Sequence, residues 1–206
     1  MSTTSSARFI TFEGPEGSGK TTQLKLLAER LRTLGHEVVE TQEPGGTRIG
    51  AQIRQILLDQ ASNDLRPTAE LLLMFASRAQ NVDEIILPAL AAGKIVLCDR
   101  FTDSTLAYQG AGRGLGADVV YDIDRIACRG LVPQRTILLD IDVQTGLARA
   151  TQTRMEQQPT AFHRTVRDTF LQLANDDSRR IRLIDAARDK EAVAADVWDA
   201  IADLLK

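Results

Sequence analysis

The sequence predicts an α/β fold, a five-stranded parallel sheet covered by helices on both faces. Three observations predict it. Short apolar runs alternate with segments of helical periodicity from one end of the chain to the other. The run Ile95-Val96-Leu97-Cys98 is continuously apolar, as a strand buried on both faces is. Between the first run and the first helix stands Gly14-Pro15-Glu16-Gly17-Ser18-Gly19-Lys20-Thr21, which fits G-x-x-x-x-G-K-[ST] at every fixed position.

Taken in order, Phe9–Phe12 is the first strand, and Leu24, Leu27, Ala28 and Leu31 give the following segment a helical stripe. Gly35 stops that helix, and His36–Thr41 is the second strand. Glu43–Thr47 (EPGGT) turns the chain into an amphipathic helix marked by Ile49, Ile53, Ile56 and Leu57, with Arg54 off the stripe. After a break at Asn63–Pro67, Thr68–Ala92 reads as one long helix that Pro88 kinks. Lys94–Asp99 is the third strand. Ser104, Thr105, Tyr108 and Gln109 then share a helical face, Gly110–Gly116 breaks it, and Val119–Cys128 resumes helix. Arg135–Ile141 is the fourth strand, followed by a helix over Val143–Arg149, a polar stretch over Thr151–Pro159 and a helix over Thr160–Ala174. Arg180–Ile184 is the last strand and Glu191–Leu205 the closing helix. One domain over 1–206 is the default for this length.

Ligands in such sheets bind beyond the carboxyl ends of the strands, and the residues with chemistry fall there. The three loop glycines let successive N–H groups of Gly14 to Thr22 point at one anion, and the helix N-terminus adds partial positive charge. In such a loop Lys20 reaches the β- and γ-phosphates of a nucleoside triphosphate, and the Thr21 hydroxyl takes a place on Mg²⁺. Asp99, closing an apolar strand, is the second candidate for the Mg²⁺ shell. Arg100 beside it suits a second phosphate. Phe75 and Arg78 offer a ring and a guanidinium for a base; Ser104, Thr105, Tyr108 and Gln109 offer neutral donors and acceptors for base and sugar.

Composition narrows the class. A net charge of −3 argues against a general nucleic-acid binder, although 20 of the 25 basic residues are Arg, the side chain suited to bidentate phosphate contacts. No apolar run approaches the roughly 20 residues that span a membrane, and Met1–Ala7 reads as a polar start rather than a signal peptide. Cys98 and Cys128 lack metal spacing and fit two reduced thiols, so a cytoplasmic location is expected.

The set GPEGSGKTT (Gly14–Thr22), EPGGT, Phe75-Ala76-Ser77-Arg78, DRFTDS (Asp99–Ser104) and AYQGAGRG (Ala107–Gly114), in this order, resembles bacterial thymidylate kinase. The resemblance runs from the first strand to the last helix. It implies a three-layer P-loop NTPase fold with a short lid at about 149–158, a homodimer, and transfer of the γ-phosphoryl of ATP to dTMP. It also implies roles. Glu16 matches an acidic position near the acceptor 3′-hydroxyl, and Arg54 and Arg100 match positions that hold the acceptor phosphate. Arg78 matches the arginine that reads a thymine carbonyl; Thr105 and Gln109 match polar base contacts. Tyr108 matches a ring that crowds a 2′-hydroxyl, and Glu43 an acid close to the reacting phosphates and metal. Two departures stand out. The family's stacking Phe lies four residues before the arginine, where this chain has Met74, so stacking falls to Phe75 at three. The lid is shorter than the family's usual arginine-rich one, leaving Arg149 and Arg154 as candidate catalytic arginines.

Neither His36, at a strand start, nor His163, read as lying on a polar helix face, needs a catalytic role. The alternatives are a kinase for another small acceptor and a nucleotide-dependent switch. Against the switch, the chain has no N-K-x-D motif and no D-x-x-G after the third strand.

Overall fold

The protein is described by a computed structural model over residues 7–205. All but Ala7 of the polar start read at Met1–Ala7 lies outside the described residues. Five parallel strands form one sheet in the order β2-β3-β1-β4-β5: β1 Arg8–Glu13, β2 Val38–Gln42, β3 Ile95–Asp99, β4 Arg135–Asp140 and β5 Ile181–Asp185. Alternation along β1 and β3 divides the core. Ile10, Phe12, Ile95 and Leu97 face α1 (Lys20–Thr33) and α9 (Lys190–Ile201) through Leu24, Leu27, Val193 and Val197. Phe9, Val96 and Cys98 face the other way, onto Leu71 and Phe75 of α3 (Pro67–Asn81) and Val120 of α6 (Ala117–Ala127). Behind α1, the Arg30 guanidinium lies 3.6 Å over the ring of Trp198 in α9.

Two helical predictions change. The segment read as one helix over Thr68–Ala92 is α3, a widened turn at Val82–Ile86, and α4 (Leu87–Ala91). Pro88 has no N–H for the Glu84 carbonyl four residues back, and the widened turn spans that residue. The predicted break at Gly110–Gly116 starts later, because the helix that begins as α5 (Thr102–Thr105) continues through a second widened turn, Leu106–Gly112. That turn carries Tyr108 and Gln109.

Register sets up the site. Phe12 and Gln42 both pair with Asp99, so β1, β3 and β2 end at one level. The glycine loop, Asp99-Arg100 and Glu43 are thereby brought together at the carboxyl edge, as predicted. The remaining helices, α2 (Arg48–Leu58), α7 (Val143–Arg149) and α8 (Thr160–Asp176), frame that edge.

Candidate active site

A cavity of about 280 Å³ opens at this edge. Glu16, Gly17, Lys20, Thr21, Met74, Arg78, Thr105 and Gln109 line it, with Glu43, Arg54, Asp99, Arg100, Ser104 and Tyr108 also on its wall. Residues 150–156 contribute Ala150, Thr151, Thr153, Met155 and Glu156.

The loop is shaped by close approach. At Gly17 φ is +66°, and a Cβ would lie 2.0 Å from the Gly146 carbonyl oxygen, so only glycine fits. Gly146 in α7 answers it, since a Cβ there would lie 2.4 Å from the Glu16 carbonyl oxygen. Lys20 Nζ donates to the Gly14 and Pro15 carbonyls at 3.1 and 2.7 Å and to Ser18 Oγ at 3.3 Å. Burial, then the Arg100 charge, lowers its pKa to about 8. Thr21 Oγ1 donates to Asp99 Oδ2 at 2.6 Å, joining the two predicted metal residues.

Arg100 follows β3 in the left-handed region, φ +69°, with its N–H bound to the Phe12 carbonyl. A non-glycine residue held there stores roughly 1 kcal/mol or more of strain. Its guanidinium donates to the Gly14 carbonyl at 3.1 Å and Ser104 Oγ at 3.0 Å, and it stands 4.9 Å over the Tyr108 ring. Tyr108 in turn donates to Glu16 Oε1 at 2.6 Å. Burial would push Glu16 up, but His163, Arg100, Tyr108 and Lys20 outweigh it and bring its pKa down to about 2. Arg54 bonds the Pro44 carbonyl at 2.8 Å across the same wall.

Arg78 is buried, donating to Glu43 Oε2 at 2.5 Å and Thr105 Oγ1 at 2.9 Å. Glu43 also accepts from Asn81 Nδ2 at 3.0 Å. Both Glu43 oxygens thus bond side chains of α3, and the residue lines the same cavity as Thr21 and Asp99. Burial raises its pKa despite Arg78.

Three expectations are corrected. Phe75 is a core residue, packed with Leu71 and Val82; Met74, four residues before Arg78, takes the cavity wall. The i, i+4 spacing puts Met74 and Arg78 on one helical face. Arg154 is buried, with Nη2 on Glu70 Oε2 at 2.7 Å and Nε on the Leu57 carbonyl at 2.9 Å, so it fastens the 150–158 segment to α2 and α3. Arg149 is exposed, its Cβ beside Gly17. His163 is not on a polar face: it is buried, Nδ1 3.5 Å from Glu16 Oε2, and neither ring nitrogen has a hydrogen-bond partner among the described residues.

Sequence reasoning also passed over Glu70 and Asn81. The signals were present: Glu70, Met74 and Arg78 recur every four residues, and His163 is in step with Val166, Phe170 and Ala174, the buried stripe of α8.

A parallel sheet whose central strand runs through a glycine loop into a helix, with a metal-suited Thr–Asp pair beside that loop, defines a P-loop nucleotide-binding protein. A thymidylate kinase family model matches residues 12–197. The chain is 52% identical over 203 residues to the thymidylate kinase of Thermomicrobium roseum, covering 96% of each, and 48% identical over 199 to that of Deinococcus radiodurans, covering 95% and 96%. A crystal structure of thymidylate kinase from Ehrlichia chaffeensis superposes with a TM-score of 0.79 at 34% identity, over 95% of this chain and 98% of that one. This chain belongs to the thymidylate kinase family.

Proposed function

We propose that this protein transfers the γ-phosphoryl group of ATP to the phosphate of dTMP, giving dTDP and ADP. The observation that carries this reading is one cavity lined by both cationic groups and neutral polar side chains. Lys20 and the loop N–H groups suit a triphosphate; Arg100 and Arg54 suit a monophosphate; Arg78, Thr105 and Gln109 suit a pyrimidine edge. Thr21 and Asp99, two hard oxygen donors bonded to each other, fit Mg²⁺ in type and position. Bound there with ATP, Mg²⁺ supplies charge neutralisation on the phosphate oxygens.

The acceptor phosphate is itself an anionic nucleophile, so this reading requires no protein base. What the chain supplies is alignment of two anions and relief of their repulsion by Lys20, Arg100 and a lid arginine. We assign that last part to Arg149, which borders Gly17, and a fastening part to Arg154. Glu16, ionised and held by Tyr108, faces the acceptor sugar, and Tyr108 crowds a 2′-hydroxyl. The 150–158 segment acts as a lid that excludes water. Tyr121 and Ile126 of α6 and nearby Val132 are exposed, which supports a homodimer through this surface. Two buried free thiols support a cytoplasmic location, and no helix among the described residues is long and apolar enough to cross a membrane.

ADP release from Mg-ATP with dTMP, dUMP, dCMP, the thymine ribonucleotide, AMP or no acceptor tests the reading. Turnover with dTMP far above AMP and the ribonucleotide is expected. ADP release that is the same with and without dTMP would mean a hydrolase or switch.

A further inference from the structure

A buried carboxylate with no role above stands behind the base-facing wall of the cavity. Glu70 of α3 has no solvent exposure. Its Oε1 accepts from Gln109 Nε2 at 2.7 Å and Arg113 Nε at 3.1 Å; its Oε2 accepts from Arg113 Nη2 at 3.1 Å and Arg154 Nη2 at 2.7 Å. Burial would raise its pKa, but the Arg113, Gln109 and Arg154 donors outweigh burial and hold it below the usual carboxylate range. An ionised carboxylate only accepts hydrogen bonds. The Gln109 amide is therefore left one orientation, its NH₂ toward Glu70. Its Oε1 receives no hydrogen bond from the described residues, and Gln109 lines the cavity beside Thr105 and Arg78.

We propose that Glu70 is a positioning residue for substrate choice: by fixing the Gln109 amide, it makes that side chain present an acceptor, and no donor, to the bound base. This rests on the reading of Arg78 and Gln109 as base contacts. A pyrimidine whose O4 approaches Arg78 offers its neighbouring ring atom, N3, to the next polar group on the wall. In thymine N3 carries a hydrogen and meets Gln109 Oε1 as donor to acceptor. In cytosine N3 is a bare acceptor, and two lone pairs face each other beside a buried amide. Uracil matches as thymine does, so the relay separates dTMP and dUMP from dCMP and is blind to the 5-methyl group. Arg113 and Arg154 belong to the device because they keep Glu70 charged.

The readout is the ratio of kcat/KM for dTMP to that for dCMP in wild type, Glu70→Gln and Glu70→Asp, with Tm for each. Glu70→Gln keeps the size of the side chain but gives it a donor, so the Gln109 amide is free to turn over. The ratio is expected to fall about tenfold or more, through KM of the acceptor, with KM for ATP unchanged. Glu70→Asp stays acceptor-only and is expected to keep the ratio within about threefold, at a lower Tm. A Glu70 that merely holds α3 in place predicts the opposite, with the isosteric Gln better tolerated, or an equal loss on both acceptors; either result overturns the proposal. Should Glu70→Gln not fold, Gln109→Leu decides, since it removes Oε1: a collapsed ratio supports the relay and an unchanged one overturns it. Failure of wild type to phosphorylate dTMP at all would instead remove the proposed function, and the same assay reads it.

Discussion

Arg149 and Arg154 open the same segment, yet their surroundings assign them opposite work. Arg149 is exposed at the glycine loop, whereas Arg154 is sealed against Glu70 and the Leu57 carbonyl. An arginine that meets a transferring phosphoryl group contributes about 10³–10⁵ in rate, and only a side chain free to reach the loop can do so. Arg149→Ala is therefore expected to lower kcat by about 10³ with little change in urea midpoint. Arg154→Ala removes one of two arginines from a buried carboxylate and is expected to cost about 3 kcal/mol of stability, with the milder loss in kcat. Turnover and urea unfolding of the two variants decide it; the reverse pattern would exchange the roles. His163→Phe belongs to the same scale. It keeps the ring's volume but removes the nitrogen facing Glu16, so the Glu16 pKa is expected to rise from about 2. A carbon-13 titration of the Glu16 carboxyl that showed no movement would deny the contact any electrostatic weight.

Among the elements, α7 and the loop after β1 are fitted to each other at Gly17 and Gly146, where each side's backbone occupies the space a side chain would need. Gly146→Ala forces the two apart. A loss of about 1–3 kcal/mol is expected, together with a raised KM for ATP, because the displaced part is the loop proposed to cradle its phosphates. An unchanged KM would show that the loop tolerates the shift. The same elements explain what was legible beforehand. The glycine loop, the strands and Asp99-Arg100 are local patterns, readable because each is fixed by a few adjacent residues. The helical step marks Glu70 and His163 as inward-facing but does not name their partners, which lie 39 to 84 residues off for Glu70 and in the loop after β1 for His163. Phe75 was misplaced by one helical step, which is enough to exchange a core stripe for a cavity wall. The two widened turns escaped because a 3.6-residue period does not encode an extra residue per turn.

Across the whole molecule, charge burial at the site should set the pH profile of stability. Glu13 ends β1 fully buried, accepting from the Phe101 N–H at 2.7 Å and Ser104 Oγ at 2.5 Å. Burial, then the Asp103 charge, raises its pKa from 4.5 to about 8. A raised carboxyl binds its proton more tightly in the fold than in the unfolded chain. Its contribution is complete below 4.5 and is lost as pH rises through about 8. Lys20 runs the other way in the next window: its pKa falls from 10.5 to about 8, so stability recovers as pH rises from 8 towards 10.5. Glu16, lowered from 4.5 to about 2, adds stability above 4.5 that disappears as pH falls through 2. Denaturation curves across this range should dip near pH 8, and Glu13→Gln should flatten the descending limb. Parallel curves for the variant and wild type would place the pH dependence elsewhere. Such curves need a signal, and the chain carries one. Trp198 is the single tryptophan, and it stacks under Arg30, about 15 Å along α1 from Lys20 at 1.5 Å per residue. Its indole emission reports the union of the first and last helices, the two ends of the chain. Intrinsic fluorescence should therefore record loss of the fold while staying dark to nucleotide exchange at the opposite end of that helix.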